Sequence, residues 1–371
     1  MTYKRRKTRP VYVGSVKIGG NAPISVQSMT LTDTRDVKAT VGQIERLTDA
    51  GCEIVRVAVP DHEAAEAIKS IKKQITIPLI ADIHFDYRLA VESIENGVDC
   101  VRVNPGNMKR DHIATVVEVA REHDISLRVG VNAGSMEKDI LERYGGPTAS
   151  ALVESALRHI TFMEDLNFDA IKLSLKSSDV STMIEAYREI SKKTDYPLHL
   201  GVTEAGSLVG SAIKSSIGLG MLLYEGIGDT LRVSITGDPV QEINVAYGIL
   251  RALGIRKVGP EIISCPTCGR CEIDLLKLAE EVEQRLAGMK QYFKIALMGC
   301  IVNGPGEAAE ADIGLAGGKK KGVIFKKGKI ARTVREEGFV DALIEEIHAM
   351  EQQLSSGETE DQENNRTVTE E

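Results

Sequence analysis

The sequence predicts an α/β protein, a (β/α)8 barrel of the TIM type followed by a smaller α/β domain. Three observations predict it. Strand-like apolar runs alternate with helical runs from about residue 23 to 255, the length expected of eight βα units. No Gly-rich phosphate loop follows the first of those strands, as a doubly wound nucleotide-binding sheet usually requires. Beyond residue 258 the alternation gives way to a cysteine-rich turn, short strands and a terminal helix. The expected boundaries are a barrel over 1–257, a second domain over 258–354 and an acidic tail over 355–371.

In chain order, residues 11–19 alternate around Gly14 and read as a hairpin. Barrel strands are expected over 24–29, 53–59, 78–83, 100–104, 126–131, 170–175, 197–202 and 230–235. The first intervening helix places Val37, Val41, Ile44 and Leu47 on one face, at helical spacing. Residues 49–56, 95–102 and 165–172 share one layout: a helix end, a Gly or Asn in the left-handed cap, then a strand at once. Stacked βα units produce such a recurrence. In the second domain a helix is expected over 275–286, a strand over 293–298 that delivers Cys300, and further strands over 312–316, 322–326 and 330–333. A last helix covers 336–352, and Lys319-Lys320-Lys321 reads as a solvated turn that could also meet an acidic electron donor.

Composition narrows the function. Of 371 residues 42% are apolar and 27% charged, as in ordinary soluble domains, and no apolar run is long enough to span a membrane. The net charge is −8, but residues 355–371 hold six acids and one Arg, so the body is close to neutral. That balance, with no Trp and only 4% aromatic residues, argues against nucleic-acid binding, including an RNA-binding zinc module with a basic arm. The acidic tail has almost nothing to bury and is expected to be disordered. Lys4-Arg5-Arg6-Lys7 reads as a solvated arm without the apolar run of a secretory signal, so a cytoplasmic protein with reduced thiols is expected.

Arg56, Arg102, Arg128 and Arg232 each interrupt an apolar strand, although a buried guanidinium is costly unless paired. Period-two alternation groups Arg102 with Asn104, Arg128 with Asn132, Arg232 with Ser234, Ser174 with Lys176, and Asp82 with His84. All lie toward the C-terminal ends of their strands, where barrel active sites are built. The cations outnumber the acids near them, such as Asp82 and Glu204. Forked cationic donors in a barrel mouth predict a phosphate or diphosphate ligand.

Four of the six cysteines lie in Cys265-Pro-Thr-Cys268-Gly-Arg-Cys271 and Cys300-Ile-Val-Asn303-Gly-Pro-Gly-Glu307. A Cys-x-x-Cys with a later Cys fits a structural zinc site or an iron–sulfur centre. On spacing alone Cys265, Cys268, Cys271 and Cys300 make a four-thiolate set. Glu307, after Gly-Pro-Gly, is a possible oxygen ligand beside three sulfurs, which would suit chemistry rather than scaffolding. Cys52 and Cys100 start strands and read as core thiols.

Together these motifs resemble the bacterial 4-hydroxy-3-methylbut-2-enyl diphosphate synthases of the non-mevalonate isoprenoid pathway. The resemblance runs from residue 3 to about 350 and includes Val26-Gln-Ser-Met-Thr30, Ala81-Asp-Ile-His84, Val101-Arg-Val-Asn-Pro105 and Gly130-Val-Asn-Ala-Gly-Ser135. The cysteine motif with Asn303-Gly-Pro-Gly-Glu307 is the most specific part. It implies a C-terminal domain similar to those of sulfite reductases, with a [4Fe–4S] cluster on Cys265, Cys268, Cys300 and Glu307. It implies reductive ring opening of 2-C-methyl-D-erythritol 2,4-cyclodiphosphate by two electrons from flavodoxin or ferredoxin. Arg56, Arg102, Arg128, Lys176, Arg232 and Ser234 are implied to hold the diphosphate. Asn132, Asp82 and His84 are implied to share the pocket, and Glu204 to be the acid–base residue. A head-to-tail homodimer is implied as well. The competing enzyme reading is a Schiff-base aldolase-type barrel with Lys176 as its amine and zinc as a structural ion.

Overall fold

The computed structural model describes residues 4–300 and 310–366. The chain divides into two compact units, Met1–Arg256 and Lys257–Glu371. Among the described residues no helix is long and apolar enough to cross a membrane.

The first unit opens with a hairpin, β1 (Val11–Val13) and β2 (Val16–Ile18). Eight βα steps follow. Their strands are β3 (Ser25–Met29), β4 (Ile54–Ala58), β5 (Leu79–Asp82), β6 (Cys100–Val103), β7 (Ser126–Asn132), β8 (Ile171–Lys176), β9 (His199–Leu200) and β10 (Thr230–Leu231). The helices are α1 (Val37–Asp49), α2 (His62–Lys72), α3 (Tyr87–Glu95), α4 (Arg110–Glu122), α5 (Lys138–Tyr144), α6 (Ala149–Asp165), α7 (Val180–Lys193), α8 (Leu208–Tyr224) and α9 (Val240–Ala252). The strands are parallel in the order β8-β7-β6-β5-β4-β3-β10-β9, and a bridge from Leu173 to Leu198 joins the two ends of that order into a barrel. The expected βα alternation is thus present, with one addition: two helices, α5 and α6, follow β7.

Local chemistry sets the βα corners. Asp36, Asp61, Asp86 and Asp179 cap α1, α2, α3 and α7, each accepting a first-turn backbone N–H at 2.7–3.0 Å. Each such cap contributes roughly 1 kcal/mol and fixes a loop at the C-terminal mouth. The opposite end is closed. Val13 and Ile18 of the hairpin pack against Ile54, Ile80 and Cys100, and Ser126 Oγ donates to Tyr12 O at 2.7 Å.

The basic start departs from the expected solvated arm. Arg5 pairs with Asp229 at 3.3 Å, and Arg6 donates to the carbonyls of Ser191, Thr194 and Tyr196. Guanidinium forks satisfy carbonyls left over at helix and strand ends, so this stretch is pinned to the barrel.

The second unit holds a five-stranded sheet of β11 (Glu261–Ser264), β12 (Lys294–Met298), β13 (Ile313–Gly318), β14 (Lys321–Lys326) and β15 (Lys329–Arg335), in that order. The first three are parallel, and β14 and β15 continue antiparallel. Helices α10 (Leu275–Arg285) and α11 (Phe339–Arg366) bury Leu278, Val282, Leu343 and Ile347 against Leu297, Ile313 and Leu315. Strand β11 has no counterpart among the expected strands, because its apolar run is only Ile262-Ile263. Helix α11 also passes residue 352 and enters the tail expected to be disordered. Residues 355–366 contain no apolar residue in the sequence.

Candidate active site

Parallel register assembles the cations. Asp82, Arg102, Arg128 and Lys172 sit side by side on β5, β6, β7 and β8, and Asn132 lies beside Lys176 at the ends of β7 and β8. Arg232 directly follows β10. Arg56, Arg102, Arg128, Lys172 and Lys176 are all buried, and Arg232 is nearly so.

Two carboxylates balance part of this charge. Asp82 receives Arg102 Nη1 at 3.1 Å and has Arg56 Nε and His84 Nε2 each at 3.6 Å. Arg102 Nη1 also approaches His84 Nε2 to 3.0 Å, so Arg56, Asp82, His84 and Arg102 form one cluster. Glu242, at the start of α9, is the second carboxylate and is only 1% exposed. It accepts from Arg232 Nε at 3.1 Å and Nη2 at 2.8 Å, from Ser28 Oγ at 2.7 Å and from the Ile235 N–H at 3.1 Å.

The remaining cations have little compensation. Arg128 donates Nε to Ser174 Oγ at 3.1 Å, while its Nη1 is buried with no partner. Arg102 Nε is likewise orphaned, as are both nitrogens of His199 and both amide atoms of Gln27. Burial, reinforced by the neighbouring guanidinium groups, pushes Arg128 and Lys176 well below their ordinary pKa values. Burial also lowers Arg56 to about 10 against the upward pull of Asp82. Buried cations with unmet donors are an anion site in waiting, because each orphan costs about 1–3 kcal/mol until something accepts from it.

Two glycines make room for these groups. A Cβ on Gly201 would lie 2.9 Å from Lys176 Nζ and 2.9 Å from the Arg232 carbonyl. A Cβ on Gly130 would lie 2.9 Å from Arg102 Nε. Gly201→Ala is therefore expected to displace Lys176 at an overpacking cost of about 1–3 kcal/mol. Calorimetric titration with pyrophosphate should show affinity reduced about tenfold, the equivalent of about 1.4 kcal/mol. Unchanged affinity would mean that the ammonium group takes no part in anion binding.

The other expected residues are placed as follows. His84 is half exposed at the mouth. Asn132 and Ser234 are half-buried, and the Ser234 carbonyl accepts from Ser211 Oγ at 2.7 Å. Glu204, the acid–base residue that the resemblance implies, stands in the loop after β9 with φ +53° and is exposed. The loop turns there in the left-handed region, uncommon for a residue other than glycine.

In the second unit, Cys265 and Cys300 follow the C-terminal ends of the adjacent parallel strands β11 and β12. Gly299 N–H donates to Cys265 Sγ at 3.4 Å. Cys271 Sγ instead donates to Ile273 O at 3.2 Å and packs against the helical core. Cys268 is exposed, and hydrogen bonding by the Arg270 backbone with the adjacent guanidinium holds its thiol below the ordinary range. All six cysteines are free. Among the described residues no group of three or more His, Cys, Asp or Glu side chains forms a metal site, and Glu307 lies outside the described residues.

Comparison with known proteins decides the family. A family profile described as "GcpE TIM-barrel domain" matches residues 8–247, and one described as "GcpE protein C-terminal domain" matches residues 261–349. The chain belongs to the GcpE family. Its relatives include the enzyme named "4-hydroxy-3-methylbut-2-en-1-yl diphosphate synthase (flavodoxin)" of Nitratidesulfovibrio vulgaris, 60% identical over 94% of this chain and 90% of the relative. The enzyme of that name from Caldanaerobacter subterraneus is also 60% identical, over 94% of this chain and 99% of its own. Among solved structures, a dihydropteroate synthase from Yersinia pestis aligns with 67% of this chain and 99% of its own, at 12% identity and a TM-score of 0.48. This GcpE-family chain is an enzyme.

Sequence reasoning missed several residues of the GcpE-family barrel. Glu242 looks like an ordinary acid in a helix first turn, which is favourable there for dipole reasons alone. Lys172, whose Nζ donates to Cys100 Sγ at 3.2 Å, was legible by alternation with Ser174 and Lys176. His199 and Gln27 carry no motif, and only the closed barrel shows them to be buried without partners.

Proposed function

We propose that this chain opens the ring of 2-C-methyl-D-erythritol 2,4-cyclodiphosphate to give 4-hydroxy-3-methylbut-2-enyl diphosphate. Two electrons and the accompanying protons are taken up, and one water leaves. One observation carries the reading: buried cations outnumber the carboxylates that pair with them, Asp82 and Glu242, inside the barrel of a chain 60% identical to synthases of that name. The first unit is then the substrate domain and the second the cluster domain.

Arg56, Arg102, Arg128, Lys176 and Arg232, with Ser234, hold the two phosphates, and Asn132 orients the ring beside them. Asp82 keeps Arg56 and Arg102 parted and aimed, and His84 lies at the rim where the substrate enters. Burial holds Lys176 below its ordinary pKa, so an incoming dianion favours the ammonium form and brings a proton in with it. Glu204, in the mouth loop, delivers a proton to the departing hydroxyl. The lowered Lys176 would also suit a Schiff-base amine, but the family relatives carry no aldolase name.

The cysteines fit an iron–sulfur centre. Cys265 accepts an N–H as cluster thiolates do, and free thiols follow adjacent parallel strands. Cys265, Cys268, Cys300 and Glu307 would hold a [4Fe–4S] cluster, which supplies electrons one at a time. The electrons come from a flavodoxin, as the relatives' names state of those enzymes. The reaction belongs in the cytoplasm, where thiols stay reduced. A head-to-tail homodimer, with one subunit's cluster serving the other's barrel, accords with the exposed apolar stripe Val209, Ile213, Ile217, Met221 and Tyr224 along α8.

The test is anaerobic reconstitution with iron and sulfide, followed by assay with a strong chemical reductant. Expected are equal amounts of iron and sulfide, a broad visible absorption, and conversion of the cyclic diphosphate to the allylic one. Stoichiometric zinc in a colourless protein without turnover would end the proposal.

A further inference from the structure

The Lys319-Lys320-Lys321 turn stands at the same edge of the second unit's sheet as the cysteines. Strands β11, β12 and β13 are parallel neighbours, and their C-terminal ends lead into Cys265, Gly299-Cys300 and Lys319 in turn. Two hydrogen bonds, each donated by a backbone N–H, tie the three corners together. Lys319 N–H donates to Glu272 Oε2 at 3.0 Å, and Glu272 N–H donates to Gly299 O at 2.8 Å. The carboxyl edge of parallel strands is where open α/β sheets meet their ligands.

The charges at this edge form no ion pair among the described residues. Lys319, Lys320, Lys321 and Arg335 are exposed, and among the described residues no carboxylate lies within ion-pair distance of any of them. Lys321 and Arg335 face each other directly across β14 and β15. Like charges in that relation are destabilising. The same sheet shows the ordinary solution close by: Lys326 pairs with Glu346 at 2.5 Å and Arg332 with Glu345 at 3.0 Å, both on α11. Glu272, whose carboxylate reaches the turn, is engaged by a backbone N–H, and Glu336 meets the turn through its own N–H, which donates to Lys320 O at 3.3 Å.

We propose that Lys319, Lys320, Lys321 and Arg335 form the docking edge for an acidic one-electron donor protein of the flavodoxin type. The inference rests on the cluster reading above and adds where the donor binds. The body of the chain is close to neutral once the acidic tail is set aside, so it offers an acidic donor no general attraction, and a local cationic edge would steer it to the cysteines. Each docking event oxidises one donor by one electron, and two events supply the two electrons of the ring opening.

The test is the Lys319→Glu, Lys320→Glu, Lys321→Glu triple variant of the full-length, reconstituted protein. Affinity for an acidic flavodoxin is measured by calorimetry at low and high salt. Turnover is measured with that flavodoxin and with reduced methyl viologen. Wild-type binding should weaken with salt, and the variant should bind about tenfold or more weakly at low salt. Its flavodoxin-driven rate should fall in step, with the viologen-driven rate unchanged. Arg335→Gln, a milder change, should give a smaller shift of the same sign. Undiminished flavodoxin affinity in both variants would overturn the proposal and leave the charges as protection for edge strand β15. Loss of viologen-driven turnover in the wild type itself would count against the cluster reading, while the binding titration would still decide the docking edge.

Discussion

Serine at Cys265, Cys268 or Cys300, one at a time, is expected to yield colourless protein with turnover at background, whereas Cys271→Ser should keep both iron and activity. Thiolate is the soft ligand that holds iron–sulfur clusters, and a hydroxyl is a poor replacement. Without the cluster no other group in the proposed site carries electrons, so loss of iron should mean loss of rate. Cys271 differs from Cys265 in what its sulfur does. Cys265 Sγ accepts from Gly299 N–H at 3.4 Å, the direction a ligating thiolate requires. Cys271 Sγ donates to Ile273 O at 3.2 Å, which needs a protonated thiol, and a serine hydroxyl can make the same bond. Iron and sulfide analysis with a visible spectrum after anaerobic reconstitution separates the two classes. A colourless Cys271→Ser protein beside a brown Glu307→Gln protein would reassign the fourth ligand to sulfur.

The barrel was legible because strand and helix runs alternate along the chain and three of the units share one helix-to-strand layout, and the cation pocket because Arg56, Arg102 and Arg128 interrupt apolar strands where only a ligand or a pair makes sense. What stayed hidden depended on long-range placement. Glu242 lies far in sequence from Ser28, yet it accepts from both Ser28 and Arg232 in space. Glu204 is exposed and takes a left-handed turn at a non-glycine residue, and no pattern around it announces either. The pinning of Arg5 and Arg6 needs the carbonyls of Ser191 and Ala22 at the barrel's closed end, and those are distant in the chain. Strand β11 escaped notice because two apolar residues suffice when the neighbouring strand is already in place.

Asp82→Asn should lower the stability of the ligand-free protein by about 3–5 kcal/mol, the usual consequence of leaving buried charge unpaired. In a barrel of this size that corresponds to a fall in melting temperature on the order of 10 °C. Asp82 is the carboxylate shared by Arg102 at 3.1 Å and Arg56 at 3.6 Å, and both guanidinium groups are buried. Burial alone would raise its pKa; Arg56, the His84 contact and Arg102 outweigh burial and hold the carboxyl well below the usual range. A depressed folded pKa contributes stability that is complete above the unfolded value of about 3.9 and is lost as pH falls through the folded one. The gap between wild type and variant should therefore be level from pH 5 to 8, and should close only in strong acid, where wild-type Asp82 also becomes neutral. Pyrophosphate replaces the missing negative charge beside Arg56 and Arg102, so a fixed concentration should raise the melting temperature of the variant more than that of the wild type. Equal melting of the two proteins at neutral pH would show that Arg56 and Arg102 do not depend on this carboxylate, and the charge balance drawn for the barrel would have to be redrawn around Glu242.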